Sequence, residues 1–148
     1  MKAQRDQEAR PCVVVVDDSF VVLDRVRHVL SGAGYDVRAT NEPRSAGPLL
    51  RGADLVIVDF HMPGIEGGEI LPVLKKSLLA ADNLCAFYPY TSDADVAKHY
   101  QKFGYNGGFL RKGDEAALLV QVEAALRTVR TRKLALALRE RRRKSDAD

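Results

Sequence analysis

The sequence predicts an α/β fold: a doubly wound parallel sheet of five strands with five helices on its two faces, the last helix extended. Three observations carry this expectation. Two apolar runs, Val13-Val14-Val15-Val16 and Val56-Ile57-Val58, are β-branched and continuous, as in strands buried on both faces. Stretches of helical periodicity alternate with the apolar runs along the chain. Both runs stop on acids, Asp17-Asp18 and Asp59, which puts carboxylates at the carboxyl edge of the sheet, where open α/β sheets bind ligands.

Residues 1–10 are polar, carry both charge signs and read as a flexible leader; they lack the apolar centre of a signal peptide. Pro11 opens a first strand over residues 12–17. A helix follows, capped by Asp18 or Ser19, with Val22, Val26, Val29 and Leu30 at helical spacing and Gly32 and Gly34 at its end. Residues 36–40 form a short second strand. Asn41 is expected to cap a second helix with Pro43 in its first turn, and Gly47-Pro48 to leave that helix short or broken.

Residues 54–59 make the third strand, and residues 60–66 a loop with Pro63-Gly64 as its turn. Residues 67–80 read as a third helix with Ile70, Leu71, Leu74 and Leu78 on one side and Pro72 near its first turn. Residues 83–88 are a fourth strand, residues 93–103 a fourth helix ended by Gly104, and residues 107–111 a short fifth strand. From Asp114 a final helix buries Leu119, Val122, Leu126 and Val129. There is no internal repeat, and residues 11–130 are expected to form the single domain. Right-handed crossovers at this size favour the flavodoxin-like strand order 2-1-3-4-5.

With 148 residues, of which 46% are hydrophobic, the chain suffices for one domain with a substantial core. No apolar run approaches the ~20 residues that span a bilayer, so a cytoplasmic protein without membrane contact is expected. Cys12 and Cys85 lack metal-ligand spacing and read as buried, reduced thiols.

The net charge of +3 is unevenly spread: residues 127–148 hold nine Lys or Arg against three acids, while the remainder is net −3. Residues 131–148 therefore read as a basic helical extension and tail. Good helix formers, uninterrupted by Gly or Pro, predict one helix from about residue 114 to about residue 142. Leu134, Leu138 and Arg141 line one side of it, and Leu136 lies off that side. Three outlets suit such a segment: a solvated face, contact with a partner or second copy of the chain, or nucleic-acid phosphates. Nucleic acid is the least favoured, because aromatic interleaving is absent and there is no room for a helix-turn-helix domain.

Acids gathered at one sheet edge repel one another unless a cation binds, and an all-oxygen cluster suits Mg²⁺. The acidic pair Asp17-Asp18, Asp59 within Asp59-Phe60-His61-Met62-Pro63-Gly64, the hydroxyl of Thr91, Phe109 and Lys112 follow one another at strand ends. With these motifs, residues 11–130 resemble the receiver domain of two-component response regulators, the CheY-like family.

The resemblance implies a set of roles. Asp59 would be the phosphoacceptor, a carboxylate nucleophile toward a phosphohistidine on a histidine kinase or phosphotransfer protein. Asp18 and Asp59 would hold Mg²⁺ directly, Asp17 through water, and the His61 backbone carbonyl would supply a further oxygen. Lys112 would pair with a phosphoryl oxygen, and Thr91 would hydrogen-bond the phosphoryl group. Thr91 and Phe109 would form the switch that remodels the face of the fourth helix, fifth strand and fifth helix. A downstream protein target is implied, together with a possible homodimer through the last helix. The chain is expected to be no enzyme beyond its own phosphorylation and hydrolysis.

Each residue also has a plainer reading. The acidic pair can be a helix cap, Ser92 competes with Thr91, Phe109 can be ordinary core, and the His61 ring can simply face solvent. Lys112 is followed by Gly113 where the family usually has a cis proline, which leaves the placement of Lys112 open. The stretch between Thr91 and Gly104 is short for the family, and that between Gly104 and Lys112 long. These departures leave room for a phosphorylation-independent scaffold. A metal-dependent phosphatase would typically carry a second acid two residues after the nucleophile, where His61 stands.

Overall fold

The computed structural model describes residues 10–65, 67–76, 85–106 and 108–147. The strands are β1 (Cys12–Val16), β2 (Asp36–Thr40), β3 (Leu55–Asp59), β4 (Ala86–Thr91) and β5 (Leu110–Arg111). They form one five-stranded sheet in the order β2-β1-β3-β4-β5, every pairing parallel. The helices are α1 (Phe20–Gly32), α2 (Gly67–Lys75), α3 (Ala94–His99) and α4 (Glu115–Ala147). The flavodoxin-like architecture expected from the alternating pattern is the one observed.

Successive strand residues face opposite sides, so each apolar run builds two layers at once. Val14, Val16, Val56, Val58 and Phe87 pack against Ile70, Leu71 and Leu74 of α2. Val13, Val15, Leu55 and Ile57 pack against Leu23, Val26 and Leu30 of α1 and Leu118, Val122 and Leu126 of α4. The valines of β1 are fully buried, which explains why their run shows no alternation. Cys12 and Cys85 are buried as well.

Several expectations need correction. The second helix is two 3-10 turns, Pro43–Ser45 and Gly47–Leu50, so four α-helices rather than five stand among the described residues. Glu42, not Asn41, caps the first turn by accepting the Arg44 N–H at 3.3 Å. Pro48 has no N–H to continue a helical ladder. β4 runs three residues beyond the expected end at Tyr88 and includes Pro89. The Phe87 N–H points toward the β5 side, where it meets Asn106 Oδ1 at 2.8 Å. Pro89, two residues on, therefore lacks its donor on that same side, level with chain that precedes the β5 ladder at Leu110.

β5 has only two residues, and the predicted fourth helix is α3 followed by a 3-10 turn, Tyr100–Phe103. Gly104, at φ 89°, ends that turn in the left-handed conformation glycine favours. On α4 Leu118 is fully buried and Leu119 only half-buried, and the helix extends to Ala147, beyond residue 142. The leader over residues 1–9, Leu78 and the expected helix end at residue 80 lie outside the described residues. No helix among the described residues is long and apolar enough to cross a membrane.

Candidate functional site

The parallel register brings the carboxyl ends of β1, β3, β4 and β5 to one edge. Asp17 follows β1, Asp59 ends β3, Thr91 ends β4 and Lys112 follows β5. Asp17, Asp59 and Thr91 are buried at this edge, whereas Asp18 is exposed. One carboxylate oxygen from each of Asp17, Asp18 and Asp59 lies within 4.8 Å of the other two.

Asp17 Oδ1 accepts the Ser19 N–H at 2.9 Å, and Ser19 in turn caps α1 by accepting the Val22 N–H. Asp17 Oδ2 accepts from Lys112 Nζ at 2.9 Å, and the same ammonium stands 3.3 Å from Asp59 Oδ1. Asp59 Oδ1 also accepts the His61 N–H at 3.2 Å. The Lys112–Gly113 peptide is trans, as are all those described, and Gly113 has φ 99°. Lys112 thus reaches both acids without the cis proline usual at that place.

The electrostatics follow from crowding. Burial pushes the Asp59 carboxyl up to about 6; the Asp17 charge and a hydrogen bond with Asp18 push the same way, against Lys112 and the His61 N–H. Burial by itself would lower Lys112, but its hydrogen bond to Asp17 and the fields of Asp59 and Asp17 prevail and raise it. Three carboxylates against one ammonium leave a negative excess. The donor set is all oxygen, which fits a hard divalent cation such as Mg²⁺.

Thr91 is the buried hydroxyl and Ser92 the exposed one. Thr91 Oγ1 accepts the Asp93 N–H at 3.0 Å. Asp93 caps α3 by accepting the Asp95 N–H, and its other oxygen stands 3.3 Å from His61 Nε2. His61 keeps most of its side chain in solvent, with its ring edge-on to Phe60. Phe109 is half-buried just before β5 and belongs to neither core layer. Asp93 is not among the site residues expected from the sequence; its signal there is an acid at the start of a helix, two residues after Thr91.

Residues 13–123 match the family model of the response regulator receiver domain. The chain belongs to that family. A putative two-component response regulator of Arabidopsis thaliana, ARR21, is 37% identical to this receiver over 70 residues, 45% of this chain and 11% of the relative. An uncharacterized transcriptional regulatory protein of Bacillus subtilis, YrkP, is 36% identical over 66 residues, 44% of this chain and 29% of the relative. The match thus spans less than a third of either curated relative.

Among solved structures, a response regulator receiver domain protein from Clostridium thermocellum aligns with TM-score 0.65 and 26% identity, covering 85% of this chain and 98% of that one. The chemotaxis protein CheY4 of Vibrio cholerae aligns with TM-score 0.67 over 79% of this chain and 99% of its own, at 22% identity. That likeness speaks for the fold.

Proposed function

We propose that this receiver is a phosphoryl-accepting signalling switch with Asp59 as its acceptor. The observation that carries the reading is the Asp59 carboxylate itself, buried at the end of β3 with Lys112 Nζ at 3.3 Å. Kinship with receivers points to a phosphohistidine donor on a histidine kinase or phosphotransfer protein. In the step, an Asp59 oxygen bonds to phosphorus as the bond from phosphorus to the donor imidazole nitrogen breaks. The electron pair leaves with the imidazole, which takes a proton from solvent.

Asp17, Asp18 and Asp59, with the His61 carbonyl, would hold Mg²⁺, which when bound offsets charge on the transferring phosphoryl oxygens. Lys112 moves from carboxylate to phosphoryl oxygen with little displacement, since it already lies between Asp17 and Asp59. Thr91 Oγ1 already accepts the Asp93 N–H, so its own proton is left to donate to the phosphoryl group. That bond joins the phosphoryl group to the cap of α3. Phe109, half-buried beside β5, follows the loop inward, and the face of α3, β5 and α4 changes for a downstream protein.

Hydrolysis returns Asp59 when water attacks phosphorus and the carboxylate leaves. No separate substrate is turned over, so the chain acts as a cytoplasmic switch rather than an enzyme. The contact of Lys112 with both acids supports this reading over an idle scaffold.

The test is intact-protein mass after incubation with acetyl phosphate, with and without Mg²⁺, on the wild type and Asp59→Asn. One phosphoryl group is expected in the wild type with Mg²⁺ and none in the variant. An unchanged mass under every condition would support the scaffold instead.

A further inference from the structure

Among the described residues the last core residue of α4 is Val129, and the last ion pair of that helix with the body is Lys133 with Asp54. From Lys133 to Ala147 the helix continues for about 21 Å at ~1.5 Å per residue. Every residue of this arm after Lys133 is exposed. Arg139, Arg141, Arg142, Arg143 and Lys144 form no ion pair or side-chain hydrogen bond among the described residues. Glu140 is the one acid within that run.

The directions of these cations decide what they can meet. At about 100° per residue the five side chains leave no gap wider than about 100° around the axis. A flat anionic surface, such as a bilayer, would meet about half of them, and surface helices on membranes separate a polar from an apolar face. A groove with phosphates on both walls meets them all. The major groove of B-form DNA admits an α-helix, whereas that of A-form RNA is too narrow for side chains to read. No aromatic residue follows Phe109, so the arm offers no aromatic platform for unpaired bases.

We propose that the arm of α4 beyond Lys133 binds duplex DNA, lying as a helix in the major groove and held by phosphate contacts from Arg139, Arg141, Arg142, Arg143 and Lys144. The contacts are with the backbone, so binding is independent of base sequence. This goes beyond the phosphoryl switch and is independent of Asp59. The exposed leucines before the cations, Leu134, Leu136 and Leu138, are not needed for it.

The experiment is fluorescence anisotropy of a labelled duplex titrated with the full chain between about 50 and 200 mM salt. Five phosphate contacts give a log–log slope of about −4.5, a weakening of about 500-fold across that range. Arg141→Gln with Arg143→Gln should bring the slope to about −2.7, with helix content by circular dichroism unchanged. The wild-type chain is also titrated with a single-stranded oligonucleotide and with vesicles rich in phosphatidylserine, both expected to bind more weakly than the duplex. No duplex binding at the lowest salt overturns the proposal. So does a slope untouched by the double substitution, or tighter binding to the single strand or the vesicles.

Discussion

Lys112 donates to Asp17 at 2.9 Å, closer than it stands to Asp59, the acid it would assist. The lysine therefore has a structural task before any phosphoryl group arrives: it neutralises a carboxylate with no exposure at all. Lys112→Met removes the charge, keeps most of the stem and leaves Asp17 buried beside two other acids. A loss of about 3 kcal/mol in urea unfolding without divalent ions is expected. A loss below about 0.5 kcal/mol would show that water already screens the pair.

Asp59 makes the opposite contribution. Its carboxyl is held up to about 6, with an ordinary value of 3.8, so folding favours its protonated form. That stability is complete below the ordinary value and is lost as pH rises through about 6. At neutral pH the folded chain carries an ionised group its surroundings disfavour. Asp59→Asn should raise stability at pH 7.5 by up to about 3 kcal/mol, and by little at pH 4, without divalent ions. Urea unfolding at the two pH values measures the difference; a variant less stable than wild type at pH 7.5 would refute the idea that crowding strains the site.

Added metal should act on the same strain. About 10 mM Mg²⁺ at pH 7.5 is expected to raise the wild-type Tm by several degrees, because an ion that binds the folded site and not the unfolded chain stabilises the fold. Asp59→Asn should respond weakly. Equal responses from the two would mean that the ion sits elsewhere.

Much of this site was legible because its carboxylates announce themselves: an apolar β-branched run that stops on an acid suits a buried parallel strand that carries the acid to the sheet edge, and little else. Asp17, Asp59 and Lys112 stand at strand ends where the pattern put them, and Thr91 ends a β4 that runs three residues past its expected end. What stayed hidden depended on neighbours distant in sequence. Pro89 reads as the end of a strand until one knows that its missing donor precedes the β5 ladder. Leu118 and Leu119 are adjacent leucines, and only the helix phase, set by packing on β3, says which is buried. Asp54 gave no sign of the lysine it meets 79 residues later.

That last pair joins the start of β3 to α4. Asp54 Oδ2 accepts the buried Cys12 N–H at 2.8 Å, while Oδ1 pairs with Lys133. The two bonds differ in weight. Asp54→Ala orphans a backbone donor at the sheet edge and should cost about 2 kcal/mol. Lys133→Met removes one half-exposed partner and should cost under about 1 kcal/mol. Equal losses in parallel urea titrations would mean that the helix tie, not the Cys12 N–H, sets the contribution of Asp54.

Tyr105 offers the reverse case, a polar group whose loss should help. It is 2% exposed, packed beside Phe60, and its hydroxyl has no hydrogen-bond partner among the described residues. Burial pushes the phenol well up, and the Asp59 charge adds to the shift. Tyr105→Phe keeps the ring and removes the orphan, so a gain of about 1 kcal/mol is expected. Tyr105→Ala, which empties the space, should cost about 3 kcal/mol or more. If Tyr105→Phe instead destabilises the fold, the hydroxyl has a partner other than the described residues, ordered water included.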